Sequence, residues 1–259
     1  MDIPPVAPDW WRTLFDDVYL ETDARSVLNG ELTRREVDGV IKALELKAQE
    51  AILDLCGGHG RHALELARRG YQKVSVLDFS LPLLSLGLDQ ARGQGLPVRF
   101  IRGDARNLPL AGERFDAVLC LANSFGYGAT REEDLEILRE SCRLLRPGGR
   151  LFLEIADPEF VRRQLPAQSW HETPQGMVVC RRRWITAEHL VCRELVLSRT
   201  RGLVRDHTYR LRLYGPEKLS ACLTAAGFSR LRIASLPEGD ANQPERGSLS
   251  RRLAVTAWK

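Results

Sequence analysis

The chain has 259 residues, 44% of them hydrophobic and 28% charged, which suits one large packed domain or one domain with an insertion. A net charge of +4, from 38 basic and 34 acidic residues, is too small to require a nucleic-acid partner. No apolar run reaches the roughly 18 residues that a membrane-spanning helix needs, and residues 1–5 lack the features of a secretory signal, so we expect neither a membrane span nor secretion.

The six cysteines do not have the spacing of a metal site. None forms a Cys-x-x-Cys pair, and none has zinc-finger spacing with a pair of histidines. Four of them lie in apolar periodic segments, as reduced core cysteines do: Cys56, Cys120, Cys142 and Cys222. We therefore expect a reducing, cytoplasmic location and no bound metal.

Two helices are predicted before the first strand. The first begins near residue 9 and carries aromatic and aliphatic residues at helical spacing. The second begins near Thr33, because Thr33 followed by Glu36 fits a capping box. We expect residues 1–48 to form an N-terminal helical lid.

From residue 50 the pattern alternates between short apolar strands and amphipathic helices. Strands are predicted at 51–55, 74–78, 98–101, 115–121 and 150–155, and helices at 62–69, 81–92 and 132–145. A helix over residues 217–226 and strands at 229–236 and 253–258 would complete the sheet, with a flexible loop at 237–250. This order predicts an α/β fold with a doubly wound, mostly parallel seven-stranded sheet, built from residues 49–166 and 214–259.

Residues 167–213 break this rhythm. Apolar segments follow one another there without helices between them, which predicts an antiparallel β insertion after strand five. Between Arg181 and Arg212 the insertion has nine arginines and three acids. Strand alternation would place such arginines on a solvated face, and the other interpretation is a cap that recruits an anionic substrate. With only Trp184 and Tyr209 interleaved, a base-stacking surface has little support.

The turn after the first strand carries the most information. Between a strand and a helix the chain reads Asp54-Leu55-Cys56-Gly57-Gly58-His59-Gly60-Arg61-His62. Glycines in such a turn let the backbone approach a ligand closely, and the helix N-terminus that follows attracts an anion. Asp78, at the end of the next strand, is the acid that would bind a ribose diol.

Two cofactor classes fit this turn. Residues 58–63 satisfy the G-x-G-x-x-A fingerprint of nicotinamide dinucleotides. Asp54, however, would repel a pyrophosphate, whereas it can face the ammonium or sulfonium of S-adenosylmethionine (SAM). The residues favour SAM and leave an NAD(P)-dependent oxidoreductase as an alternative.

Five segments, in order, resemble the motifs of class I SAM-dependent methyltransferases. They are the turn segment 52–70, Val76-Leu77-Asp78-Phe79-Ser80, Gly103-Asp104-Ala105-Arg106-Asn107-Leu108-Pro109, the strand and following loop at 115–127, and Leu145-Arg146-Pro147-Gly148-Gly149-Arg150-Leu151. The resemblance covers residues 50–156, and the closing helix and strands fit residues 216–258. It implies a Rossmann-like fold. One departure is Cys56, which stands where the family's first turn glycine is expected.

The resemblance implies a set of cofactor-binding residues. The turn would hold the methionyl group, Asp78 would bind the ribose hydroxyls, and Phe79 would line the adenine. Asp104 and Ala105 would contact the adenine edge, and Leu121 would lie near the sulfonium. The full set is Asp54, Gly57, Gly58, Gly60, Arg61, Asp78, Phe79, Asp104, Ala105, Arg106 and Leu121.

Four residues are candidates for the acceptor site, although each could instead serve packing: Tyr19, Asn123, Tyr127 and Tyr214. A neutral amine acceptor would need no catalytic base. A hydroxyl or carbon acid would want one, and the candidates are His62 and Tyr127, followed by His59 and His171.

These features predict a cytoplasmic enzyme that transfers the SAM methyl group to N, O or C of a small-molecule acceptor and leaves S-adenosylhomocysteine. Its plan is similar to glycine and amino-sugar N-methyltransferases, and the absence of Asn-Pro-Pro-Tyr at 123–126 argues against nucleobase and glutamine methylation. Three alternatives stay open: an RNA methyltransferase that uses the Arg-rich insertion, an NAD(P)-dependent oxidoreductase, and a non-catalytic SAM-binding partner protein. The acceptor atom and the oligomeric state are also left open.

Overall fold

The computed structural model of the chain describes residues 2–23, 27–236 and 250–259. Its helices are α1 (Trp11–Leu14), α2 (Asp17–Thr22), α3 (Gly30–Leu44), α4 (Arg61–Arg68), α5 (Leu81–Gly93), α6 (Arg131–Leu144), α7 (Pro158–Gln164) and α8 (Pro216–Ala225). Its strands are β1 (Ala51–Leu55), β2 (Lys73–Asp78), β3 (Val98–Arg102), β4 (Phe115–Cys120), β5 (Leu145–Ala156), β6 (Gln168–Glu172), β7 (Met177–Ile185), β8 (His189–Ser198), β9 (Gly202–Arg212), β10 (Arg230–Ser235) and β11 (Arg252–Trp258).

Seven strands form the central sheet in the order β10-β11-β5-β4-β1-β2-β3. β11 runs antiparallel to both of its neighbours, and the other pairings are parallel. The strand order reverses between β1 and β4, and ligands of such sheets bind beyond the carboxyl ends of the strands at that point. The Rossmann-like, doubly wound fold with seven mostly parallel strands is therefore confirmed.

Helices cover both faces of this sheet. On one face α3, α4 and α5 bury Val40, Leu64 and Leu84 against the strands. On the other face α6 and α8 bury Leu138 and Leu219. With both faces covered, the central strands must be apolar throughout, which explains the short unbroken apolar runs in the sequence.

A second sheet follows strand five, as predicted. It is antiparallel, in the order β6-β7-β8-β9. The short helix α7 precedes it and was not predicted. Its signal is Asp157 before Pro158, because the Asp157 carboxylate accepts hydrogen bonds from the backbone N–H groups of Glu159 and Phe160, and proline suits the first helical turn.

The N-terminal segment lies between the two sheets. Ser80, just after β2, donates its hydroxyl to the carbonyl of Phe15 at 2.6 Å. From the second sheet, the His171 ring nitrogen lies 3.0 Å from the carbonyl of Thr22 at the end of α2. Helices α1 and α2 are thus hydrogen-bonded to the central sheet on one side and to the inserted sheet on the other.

The predicted capping box at the start of α3 is wrong. The helix begins at Gly30, and the side chain of Asn29 accepts the N–H of Leu32 at 3.0 Å. Asn caps helices as well as Thr does, and Thr33 lies inside the first turn. Glu36 therefore takes no part in the cap, and its buried side chain pairs with Arg61 and Arg252. Most of the predicted loop at 237–250 lies outside the described residues.

A glycine inside α5 sets the distance between that helix and the glycine turn. A Cβ added at Gly87 would lie 2.3 Å from the carbonyl oxygen of His59 and 2.5 Å from the Phe100 ring. Backbone cannot yield as a flexible side chain does. Gly87→Ala should therefore lower the free energy of unfolding by about 1–3 kcal/mol, measured by denaturant titration.

Gly93→Ala at the end of the same helix is the matched control, because an added Cβ there meets no atom within 4 Å. It should leave stability unchanged or slightly raised. Equal stability of the two variants would contradict the close approach at Gly87.

Candidate functional site

The turn after β1 has left-handed backbone at three positions. The φ angles are +55° at Cys56, +59° at Gly58 and +73° at Gly60. The N–H of Gly57 donates to the carbonyl of Leu77 at 3.2 Å, which fixes the turn against the end of β2. Cys56 adopts the left-handed conformation that glycine usually supplies, so its replacement of the expected glycine keeps the shape of the turn.

Asp54 is a buried carboxylate without a hydrogen-bond partner. Neither of its side-chain oxygens is hydrogen-bonded. A Cβ added at Gly57 would lie 2.7 Å from its Cγ, so only glycine there leaves room for the carboxylate. Burial raises the pKa of Asp54 to about 7. The nearby Arg61 charge and the Ala63 backbone N–H, which lies near the carboxylate without meeting hydrogen-bond geometry, offset only part of that shift. An unpaired buried carboxylate in a cavity wall suits a cationic ligand group.

Asp78 is held in place by backbone amides. Its two carboxylate oxygens accept the N–H of Gly58 and the N–H of Ser80, each at 2.8 Å. Burial raises the pKa of Asp78, and these backbone hydrogen bonds work against that shift. A carboxylate has about four acceptor positions, so Asp78 can still accept hydrogen bonds from two hydroxyl groups.

Phe79 forms an aromatic corner of the cavity wall with Trp11. Its ring meets that of Trp11 edge to face, with centroids 4.9 Å apart. The guanidinium of Arg12 lies 5.0 Å from the Phe79 centroid, and that of Arg106 lies 5.2 Å from the Trp11 centroid. Aromatic faces and guanidinium planes suit a planar ligand ring. Trp11 lies 68 positions from Phe79 and was not expected in the site.

Asp104 and Arg106 act as one unit. The guanidinium of Arg106 donates to both oxygens of Asp104, at 2.9 and 2.6 Å, and to Glu133 at 2.9 Å. The hydrogen bonds from Arg106 lower the pKa of Asp104, which keeps it ionised. Arg106 therefore orients the acid that was expected to contact adenine.

These groups surround one cavity that is open to solvent at its mouth. Most of the residues expected in the site line it. They are Tyr19, Asp54, Gly57, Gly58, Arg61, His62, Asp78, Phe79, Asp104, Ala105, Arg106, Leu121 and Tyr127.

Three expected residues are not among those that line the cavity. Gly60 caps α4, where a Cβ would lie 2.8 Å from Val76, so its role is local packing. Asn123 accepts the N–H of Ala156 at 2.8 Å through its side chain. Tyr214 is buried and donates its hydroxyl to Asp134 at 2.8 Å.

Aromatic side chains line the end of the cavity that faces the N-terminal helices. The ring centroid of Phe15 lies 5.0 Å from that of Tyr19 and 5.9 Å from that of Tyr127. Burial raises the pKa of both tyrosines. Their hydroxyls stay protonated and can donate hydrogen bonds, which argues against Tyr127 as a base. Phe15 was not expected in the site.

His62 is held by a buried ion cluster. Its Nε2 lies 3.0 Å from the carboxylate of Glu36, which also pairs with Arg61 at 2.5 Å and Arg252 at 2.8 Å. Although burial opposes it, the hydrogen bond from His62 and the two guanidinium charges hold the pKa of Glu36 well below its usual range. Burial lowers the pKa of His62 to about 4, so it is neutral with its proton on Nε2. Such a histidine is a weak base, and its contacts tie α3 to α4.

The other two histidines considered as bases contact the N-terminal segment. Burial lowers the pKa of His59 to about 4, and its ring bonds the backbone of Val27. His171 bonds Thr22, as described above, and is not among the residues that line the cavity. His59 is therefore a weak base at neutral pH, and His171 lies away from the cavity.

Most arginines of the insertion are bound to acids. Five of the nine form ion pairs. The pairs are Arg181 with Asp23 and Glu194, Arg193 with Asp206, Arg199 with Glu172, Arg205 with Asp16 and Glu194, and Arg212 with Asp134. Three of these five arginines are mostly buried, and they fasten the second sheet to the N-terminal helices and to α6. The arginine excess therefore serves packing to a large extent.

Two further features bear on the class of protein. Within 2–23, 27–236 and 250–259, no helix has the length and apolar character to cross a membrane. In the same ranges, no group of three or more His, Cys, Asp or Glu side chains could hold a metal ion.

Comparison with known proteins identifies a methyltransferase domain within the chain. Residues 52–149 match the family model of a methyltransferase domain. A demethylmenaquinone methyltransferase of Paenarthrobacter aurescens is 34% identical over 173 residues, which are 62% of this chain and 64% of that relative. The chain spans less than two thirds of the length of the first curated relatives it matches.

Solved structures share the whole fold. A SAM-dependent methyltransferase of Clostridium acetobutylicum matches with a TM-score of 0.73 at 16% identity, over 93% of this chain and 96% of that one. A SAM-bound amino pentose methyltransferase of Micromonospora echinaspora, involved in calicheamicin biosynthesis, matches with a TM-score of 0.68 at 23% identity, over 95% and 99%. At these identities the likeness establishes the fold.

Residues 52–149 are therefore a methyltransferase domain, and the chain has the fold of SAM-dependent methyltransferases of known structure. Its methyltransferase domain proper, residues 52–149, contains the glycine turn, Asp78 and Asp104. The residues that line the cavity are thus contributed by this domain and by the N-terminal segment.

The Asp54 carboxylate gives a prediction about stability and pH. Its pKa is raised from the usual value near 3.8 to about 7, so the folded state binds more protons than the unfolded state between those pH values. Stability should fall as pH rises through that window. Asp54→Asn removes the effect, and thermal melting without ligand should show it more stable than the parent, with a difference that grows from pH 5 to pH 7 and then levels off.

Asp89→Asn, an exposed carboxylate on α5, is the control and should follow the parent at every pH. A melting temperature that differs between Asp54→Asn and the parent by the same amount at every pH would show that Asp54 is not a strained, unpaired carboxylate.

Proposed function

We propose that the cavity binds SAM, and the unpartnered Asp54 carboxylate is the observation that carries this. When bound, SAM supplies a methyl group made electrophilic by its sulfonium. Asp54 would stabilise the cationic methionyl end, and the carboxylate fits there because Gly57 has no side chain. Asp78 would accept the ribose hydroxyls. The aromatic corner of Phe79 and Trp11 would pack against the adenine, with Asp104 at the adenine edge.

The same contacts disfavour a nicotinamide dinucleotide. Its pyrophosphate would approach the glycine turn, where the Asp54 carboxylate is buried without a hydrogen bond. Like charges in a low-dielectric site repel strongly. The match of residues 52–149 to a methyltransferase domain points the same way.

We infer that the acceptor is a small molecule with a planar, hydroxylated aromatic ring. Phe15, Tyr19 and Tyr127 offer ring faces, and the two tyrosines keep hydroxyl donors for a ring oxygen. Curated relatives are named for quinones, demethylmenaquinone and 2-phytyl-1,4-naphthoquinone among them, and the reduced form of a quinone is a hydroxylated aromatic ring.

An amine acceptor has less support from the cavity. The carboxylates among its described lining residues are Asp54, Asp78, Asp104 and Glu133. The first two face the proposed cofactor, and the last two pair with Arg106. This leaves no carboxylate to bind an ammonium group beside the aromatic side chains.

Catalysis would then consist mainly of alignment and exclusion of water. The aromatic side chains would hold the acceptor ring in line with the methyl group, and such positioning can contribute several kcal/mol. Since Tyr127 stays protonated and His62 is a weak base, the acceptor would enter already ionised or lose its proton to water.

The test is transfer of labelled methyl from SAM to three acceptors: a short-chain reduced naphthoquinone, an amino sugar and RNA. We expect label on the naphthoquinol alone, with S-adenosylhomocysteine as the second product. Label on the amino sugar alone would contradict the acceptor class, and label on RNA would restore the nucleic-acid alternative. SAM binding without label on any acceptor would favour a non-catalytic SAM-binding protein.

Two variants separate the two halves of the cavity. Asp78→Asn weakens an acceptor of the ribose hydroxyls and should raise the KM for SAM severalfold. Tyr127→Phe removes one hydroxyl donor and should raise the KM for the acceptor, with the KM for SAM unchanged. An effect of Tyr127→Phe on SAM alone would contradict its place in the acceptor site.

A further inference from the structure

The two faces of the inserted sheet differ in an unusual way. The inner face buries Val179, Val196 and the ion pairs of Glu194 against the N-terminal helices. The outer face exposes large apolar side chains: Trp170 is 72% exposed, Leu203 59% and Leu197 41%. An antiparallel sheet with one buried face usually carries polar residues on the other, so this face calls for an explanation.

Strand pairing shows that these side chains are neighbours. One row across the sheet is Glu172, Val178, Leu197 and Leu203, and the next is Trp170, Cys180, Leu195 and Asp206. Directly paired side chains lie about 5 Å apart. The apolar members of the two rows therefore form one patch at the end of the sheet that carries the β8–β9 turn. We call the β8–β9 turn and the six apolar residues the outer patch. The six are Trp170, Val178, Cys180, Leu195, Leu197 and Leu203.

Arginines border the outer patch. The next row carries Arg182 and Arg193, the β8–β9 turn between Leu197 and Leu203 carries Arg199 and Arg201, and Arg210 lies one row further on. The carboxylates on this face are Glu172 and Asp206, which pair with Arg199 and Arg193. The Arg201 guanidinium lies 3.6 Å from the Met177 sulfur at the end of the sheet, so this arginine borders the face from its edge. Five arginines against two carboxylates leave the face and this edge positively charged.

The composition favours one kind of partner. A second copy of the chain, packed face to face, would bring two positive surfaces together. RNA would need stacking side chains, but leucine and valine occupy most of the outer patch. Exposed leucine and tryptophan beside arginine is the pattern of surfaces that enter the headgroup region of an anionic bilayer.

We propose that the outer patch docks on an anionic lipid surface. The side chains of Trp170, Leu197 and Leu203 enter the interface, and Arg199 and Arg201 contact the phosphates of the headgroups. This rests on the surface alone and holds whether or not the proposed acceptor is correct.

The experiment is co-sedimentation of the full chain with vesicles of phosphatidylcholine, with and without phosphatidylglycerol. We expect binding to the anionic vesicles, weaker binding at higher salt, and little binding to neutral ones. Leu197→Ser with Leu203→Ser, and separately Arg199→Glu with Arg201→Glu, should each lower the partition coefficient, the charge reversal on the order of tenfold or more.

Two matched controls should bind as the parent does. Arg35→Glu with Arg163→Glu has the same net charge as the arginine variant, at exposed sites on α3 and α7. Ile3→Ser removes an exposed apolar side chain elsewhere. Circular dichroism of every variant checks that it is folded, and this check does not depend on SAM binding.

Three results would overturn the proposal. One is a dimer in sedimentation velocity that dissociates in the leucine variant, without vesicle binding. Another is binding to a homopolymeric RNA, and not to vesicles, that the arginine variant loses. The third is vesicle binding by the parent that none of these four substitutions changes.

Discussion

The Asp54 carboxylate, buried at the switch point of the sheet without a hydrogen bond, is the feature on which the site depends. It lies against Gly57, which must lack a side chain, and the turn continues through Cys56 and Gly58 in left-handed conformations. Such a group lowers the stability of the protein alone and becomes favourable when a cationic group meets it. The arrangement thus lowers the stability of the protein alone and favours binding of a cationic ligand group. Helix α5 packs closely against the turn because Gly87 has no side chain.

The rest of the fold closes the cavity around that group. The N-terminal helices contribute Trp11, Phe15 and Tyr19 to its wall, yet they are short and cannot be stable by themselves. Buried ion pairs from the inserted sheet and hydrogen bonds from Ser80 and His171 hold them in place. The inner face of the inserted sheet thus packs against the N-terminal helices that line the cavity, and its outer face is free to make other contacts.

Local patterns predicted the fold well, because strand and helix periods and the glycine turn are short-range signals. Residues such as Asp78, which the sequence placed at the cavity from its own motif after β2, do line it. The site was missed where a partner is distant in sequence: Trp11 pairs with Phe79 only after folding, and Tyr214 is drawn to Asp134. Glu36 shows the same limit, since its partners Arg61 and Arg252 come from α4 and β11.

The most direct test is thermal melting with SAM, S-adenosylhomocysteine, NAD and NADP at equal concentrations. A ligand at about 100 times its dissociation constant stabilises the folded state by roughly 2.7 kcal/mol, which is a shift of several degrees for a chain of this size. We expect the melting temperature to rise with SAM and S-adenosylhomocysteine and not with the dinucleotides. A rise with NAD or NADP alone would contradict the proposal that the cavity binds SAM.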